Sequence, residues 1–107
     1  MAQDFERHLH RNIGTATVVH TSNSDDAIVG IRVANTHVST TVNVDAYITM
    51  GGNDYYIIKS APVPSGGSLE LIDGGSKIVI QSGDALTIDA DAATSDWIIS
   101  RVDAIST

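Results

Sequence analysis

A chain of 107 residues without cysteine, carrying a formal charge of −7, has the size of one domain and has to fold without disulfides or thiolate metal sites. It contains no run of about 18 apolar residues to cross a membrane, and its polar start lacks the apolar stretch of a secretory signal, so the expectation is a protein kept in the cytosol or released by lysis. The first twelve residues hold two acids and two bases, so the whole charge falls on the remainder; such a surface repels phosphate backbones, argues against nucleic-acid binding and suits solubility at high copy number.

Residues 1–12 read as a polar N-terminal arm, with 13–107 as the folded body. Phe5 and Leu9 are four apart, so a short helix would present both on one side. Within the arm, His8-Leu9-His10 is the one metal-like spacing. In an extended strand, residues i and i+2 share a side, and three chains on an axis would then offer six imidazoles. Two surface histidines are the simpler reading, and no metal is expected. From Ile13 onward the composition turns to β-branched residues, Ala, Ser, Thr, Gly and Asp, which suit strands and tight turns.

Ile13 to His20 is the first strand of the body, ending at Thr21-Ser22-Asn23-Ser24-Asp25. Ala27 to Ala34 follows, with Val29, Ile31 and Val33 on one face. The clearest strand is Thr41 to Met50. There Val42, Val44, Ala46, Ile48 and Met50 alternate with Asn43, Asp45, Tyr47 and Thr49, a period of two with one wet face. Gly51-Gly52-Asn53-Asp54 supplies a turn, and Tyr55 to Lys59 returns as the second half of a β-hairpin. Ala61-Pro62-Val63-Pro64-Ser65-Gly66-Gly67 is an extended crossover or sheet-edge segment, since two prolines cannot both donate into a central ladder. Leu69 to Ile72, Lys77 to Gln81, Leu86 to Ala90 and Trp97 to Ile105 complete the set, with turns at Asp73-Gly74-Gly75 and Ser82-Gly83-Asp84. About eight strands at regular spacing predict an all-β, antiparallel β-sandwich, jelly-roll or immunoglobulin-like.

A search for chemistry yields no catalytic grouping. There is no G-x-S-x-G elbow. Gly66-Gly67 and Gly74-Gly75 lack the Lys-Ser/Thr of a P-loop and precede strands. Asp89 and Asp91 lie on the polar face of an alternating strand and read as solvated surface. Asp25, Asp26 and Asp54 sit at turns, where Asp is favoured for backbone reasons, and no EF-hand spacing marks a calcium loop. His20 and His37 flank turns and have no evident partner, and no spacing marks a Ser-His-Asp triad. Tyr55 and Tyr56 point to opposite faces of a regular strand, so they do not share one sugar platform. Tyr47 is placed to pair with one of them across the hairpin, and Trp97 reads as a core or interface anchor.

An ordered set of phrases then carries a resemblance. Arg11-Asn12-Ile13-Gly14-Thr15 opens the body, and Ile31-Arg32-Val33-Ala34-Asn35-Thr36 ends the second strand. Gly51-Gly52-Asn53-Asp54-Tyr55-Tyr56-Ile57-Ile58-Lys59 forms the hairpin, followed by Ala61-Pro62-Val63-Pro64-Ser65-Gly66-Gly67-Ser68-Leu69. Lys77-Ile78-Val79-Ile80, Gly83-Asp84 and the Ser/Asp-rich approach to Trp97 close the series. In this order they resemble a small virion-protein family common in tailed phages of marine bacteria, of decoration (cement) type. The resemblance implies a β-sandwich structural subunit, present in many copies on the particle, with no catalytic residues and no cofactor. The expected partners are further copies of the chain, as a homotrimer on threefold sockets, and the major capsid protein or another virion subunit, without nucleic acid or membrane. Phe5, Leu9, Arg11, Tyr55, Tyr56 and Trp97 are the candidate interface residues. A tail, neck or fibre component and a carbohydrate-binding module for host attachment are the alternatives.

Overall fold

The computed structural model describes residues 4–72 and 77–103. Among these the chain forms nine strands and no helix: β1 (Asp4–Ile13), β2 (Thr17–Thr21), β3 (Asp26–Asn35), β4 (Val42–Met50), β5 (Asn53–Val63), β6 (Ser68–Glu70), β7 (Ile78–Ile80), β8 (Ala85–Ala90) and β9 (Ser95–Asp103). Two antiparallel sheets pack face to face. One has the order β1-β9-β3-β6, with β7 also paired to β3, and the other has the order β2-β8-β4-β5.

The pairing follows a single rule. Strands join from the middle of the chain outward: β4 with β5, β3 with β6 and β7, β2 with β8, and β1 with β9. The chain is thus one long antiparallel ribbon, turned back at Gly51-Gly52 and rolled so that successive pairs fall in alternate sheets. The rolling brings β3 beside β9 and β4 beside β8. This is the jelly-roll form of the β-sandwich, and it settles the choice between the two sandwich types expected from the sequence.

The inner faces build the core. Ile28, Ile31, Val33, Val42, Val44, Val63, Ile80, Leu86, Ile88, Trp97 and Ile99 are each at most 1% exposed. In β4 and β8 the alternation read from the sequence holds for Val42, Val44 and Ala46 and for Leu86, Ile88 and Ala90, which are buried, but Met50 at the end of β4 is 50% exposed and Thr87, expected on the wet face of β8, is buried. In β3 it does not. A β-bulge between Ile28 and Gly30 adds one residue against β9, so Ile28 joins Ile31 and Val33 inside and Val29 drops out of the buried set.

Other boundaries move as well. The strand expected over Ile13 to His20 is broken by Gly14-Thr15-Ala16. A Cβ on Gly14 would sit 2.6 Å from the backbone nitrogen of Ala93, so only glycine lets the chain pass that close. The strand expected to end at Lys59 continues to Val63 through Ser60, which bulges at φ 53°. Pro62 is tolerated because β5 lies at a sheet edge. Pro64-Ser65-Gly66-Gly67 then crosses to the other sheet, closed by the Gly67 N–H donating to the Pro64 carbonyl at 2.9 Å. The expected turn at Asp73-Gly74-Gly75 and the end of the last strand at Ile105 lie outside the described residues.

The largest difference concerns the expected arm. Instead of standing apart, Asp4–Ile13 is a ten-residue strand paired with β9 along its length, from Asp4 opposite Asp103 to His10 opposite Trp97 and Ile13 opposite Ser95. The short helix considered for Phe5 and Leu9 does not form, because the ladder to β9 satisfies this backbone instead.

Candidate assembly surface

As the first strand of its sheet, β1 offers one open edge. Its side chains alternate. Glu6, His8 and His10 turn toward the interior, and Phe5, Arg7 and Leu9 turn outward. Two of the three outward side chains, Phe5 and Leu9, are apolar where a solvated strand would be polar. Phe5 is 83% exposed and Leu9 57%. Leu9 stands directly opposite Ile98 of β9, itself 48% exposed, and Phe5 opposite Val102. A shallow hollow of about 300 Å³ lies here, lined by Leu9, His10, Arg11, Asp96, Trp97 and Ile98. Arg7 and Arg11 are exposed along the same strand, and neither has an ion-pair partner among the described residues. Phe5 and Leu9, with Arg7 between them and Arg11 beyond Leu9, and Ile98 opposite Leu9, make a band of mixed apolar and cationic side chains on an unpaired edge.

The inner side of β1 explains why this band faces outward. In β9 the inward register runs Trp97, Ile99, Arg101, so an arginine occupies a core position and is only 7% exposed. Its Nη1 donates to Asp26 Oδ2 and to Asp103 Oδ1, each at 3.0 Å, and its Nη2 donates to Glu6 Oε1. Its Nε donates to His8 Nε2 at 3.0 Å. Asp26 is fully buried; it also accepts from Ser22 Oγ at 3.0 Å, from Ser24 Oγ at 2.8 Å and from His20 Nε2 at 2.9 Å. The His8 and His20 rings lie 5.4 Å apart. A buried charge is tolerable only when paired and hydrogen-bonded, and no buried side-chain polar atom among the described residues lacks a partner. Glu6 and His8 are therefore turned inward to complete the shell around Arg101, which leaves Phe5, Arg7 and Leu9 for the outside. Sequence reading missed this network, although its signal is present: Arg101 keeps the parity of Trp97 and Ile99.

Burial and the adjacent guanidinium both hold the His8 imidazole below its ordinary pKa of 6.5. Nε2 of His8 is committed to Arg101, so that nitrogen is not free to join His10 in holding a ligand. Among the described residues no group of three or more His, Asp, Glu or Cys is arranged to hold a metal ion.

Trp97, offered by the sequence as an interface anchor, is a core residue at 1% exposure, with its indole N–H donating to Ser95 Oγ at 2.9 Å. It contributes to the hollow only from beneath. Tyr55 and Tyr56 take opposite faces of β5, as their adjacency requires. Tyr55 sits opposite Ile48, and Tyr56 sits opposite Tyr47. The Tyr47 and Tyr56 rings are 4.9 Å apart on the outer face of the second sheet, and Lys59 Nζ lies 4.4 Å from the Tyr56 centroid. This face is acidic. Burial, and then the fields of Asp54, Tyr56, Asp89 and Asp45, raise the Tyr47 pKa. Asp45 stands directly opposite Asp89 across β4 and β8, and backbone and side-chain N–H groups of Asn43 hold Asp91 below the usual carboxylate range.

Fold and surface together define a jelly-roll β-sandwich whose open β1 edge carries exposed Phe5 and Leu9. No protein-family model matches the chain, and no curated protein matches it.

Proposed function

We propose that the chain is a structural subunit of a bacteriophage virion, a decoration (cement) protein that binds the head shell and stabilises it. The observation that carries this reading is the exposed band of Phe5, Leu9 and Ile98 on the open edge of β1. An unpaired edge strand with apolar side chains invites another chain to cover it, by strand addition or by packing. Phe5 and Leu9 supply apolar anchors, and Arg7 between them and Arg11 beyond them add charge suited to an acidic neighbour. The jelly roll adds support by analogy only, since this fold recurs in viral shells and also in lectins. Assembly in the host cytoplasm, with copies of the chain meeting as a trimer on threefold positions of the major capsid protein, completes the proposal.

The test uses purified particles and the full chain. Deleting 1–12 is a poor variant, because it strips Glu6 and His8 from Arg101 as well as Phe5 and Leu9 from the surface. The double variant Phe5→Ser, Leu9→Ser leaves the inner network whole. It is expected to keep its melting temperature and to lose capsid saturation at least tenfold in affinity. Unchanged saturation would remove this band from the interface. Loss of the protein from tail-less capsids would move it to a tail, neck or fibre.

A second reading, a carbohydrate-binding module, has one observation in its favour: Tyr47 and Tyr56 adjoin on a face lined by Asp45, Asp54 and Asp89. Lys59 over the Tyr56 ring occupies a position that a stacked sugar needs, so the edge band is the better-supported surface.

A further inference from the structure

We propose that β1 is held to the sandwich by an acid-released latch at His8. The proposal concerns regulation of the same strand that carries the suggested docking surface, but it stands on the isolated protein and does not need the virion reading.

Arginine Nε carries a hydrogen and cannot accept. At 3.0 Å from it, His8 Nε2 has to accept, so the imidazole is neutral with its proton on Nδ1. Taking a proton from solvent places an N–H on Nε2, directly against the Arg101 N–H. One hydrogen bond is then lost, and a cation faces a cation in a part-buried site. The groups around His8 offer little relief. Arg101 and Asp103 come from β9, Asp26 from β3, His20 from β2, and Glu6 and His10 from β1 itself. The inward residues of β8 (Leu86, Ile88 and Ala90) are not ionisable. Glu6, which favours the imidazolium, is already bonded to Arg101 Nη2. Asp26 and Asp103 are bonded to Nη1.

The sign follows from linkage. The folded imidazole titrates below its ordinary 6.5, so the docked strand binds fewer protons than the released one. The contribution of His8 to docking is complete above that value and is lost as pH falls through the folded pKa. What gives way is β1, because His8 and Glu6 are its inward contacts with Arg101 and its other edge is open. β4 and β8 are held by apolar contacts that do not titrate. Acidification therefore loosens the strand that presents Phe5 and Leu9.

Amide hydrogen exchange of the full chain at pH 7.5 and 5.5, corrected for intrinsic rates, reads this directly. The β1 amides facing β9 are expected to open about five- to tenfold more at pH 5.5, the equilibrium change that accompanies loss of one hydrogen bond of ordinary net strength. Those of β4 and β8 are expected to keep their protection. His8→Gln retains an acceptor for Arg101 Nε but does not titrate, and should abolish the pH dependence. Constant β1 protection in the wild type, or a pH dependence that survives His8→Gln, overturns the latch. Should His8→Gln fail to fold, nitrogen NMR of the wild-type ring decides: Nε2 unprotonated at pH 7.5 supports the latch, and Nε2 protonated there refutes it. A failed latch leaves the particle-binding test of Phe5 and Leu9 untouched.

Discussion

The interior of this sandwich is filled in two ways. Along most of its length Ile31, Val33, Val44, Ile88, Trp97 and Ile99 form a dry layer. At one end Arg101 and Asp26 replace hydrocarbon with a buried ion pair and its hydrogen-bonded shell. The dry layer gains stability from apolar area in proportion to size and tolerates swaps that conserve volume. The polar end gains little net stability from its charges, because their desolvation offsets most of their attraction. What it gains is geometry: four N–H···acceptor bonds from one guanidinium fix β1, β3 and β9 relative to one another.

Breaking each region separately tests that contrast. The largest effect is expected from Trp97→Ala, which empties the biggest fully buried side chain and should lower unfolding free energy by about 3–5 kcal/mol, read by urea denaturation. Arg101→Met should cost about 3 kcal/mol, because it leaves the Asp26 carboxylate buried without its cation. Glu6 and Asp103, which keep some solvent access, absorb part of the loss. The sharper comparison is the double variant Arg101→Met, Asp26→Leu. If the polar end serves geometry, most of the stability returns while β1 amides stay less protected than in the wild type. Full recovery of both would show that the network specifies nothing that apolar packing does not. At the small end, Phe5→Ser touches neither region and should move stability by no more than about 0.5 kcal/mol.

The same contrast marks how far the sequence could be read. Where the interior is dry, hydrophobic alternation reports it, and Thr41 to Met50 and Leu86 to Ala90 were legible as strands because Val42, Val44 and Ala46, and Leu86, Ile88 and Ala90, are buried at every second position. Where the interior is charged, the pattern inverts. In β1 the polar Glu6 and His8 point in and the apolar Phe5 and Leu9 point out, so a reading tuned to apolar interiors sees a polar arm. Phe5 and Leu9 still stood out, because an isolated apolar side chain in polar surroundings is conspicuous wherever its backbone lies, and both are exposed on β1. Trp97 was placed in two roles since size alone does not separate core from interface. Ile98 was missed because its exposure depends on the register of β9. The bulge between Ile28 and Gly30 and the choice of jelly roll depend on which strands meet, and those partners lie tens of residues apart.

The nested ribbon has a consequence for folding. Pairing β4 with β5 closes only a short turn, whereas pairing β1 with β9 joins segments near opposite ends of the chain, and the entropy of closure grows with the length enclosed. Each inner pair, once formed, shortens the effective loop for the next. Assembly therefore runs like a zip from Gly51-Gly52 toward the outer strands, an order that pulse-labelled exchange during refolding would display as late protection of β1. The last seam to close is then the one bearing Phe5 and Leu9, so a molecule sets these two exposed side chains in register only once everything beneath them is already in place.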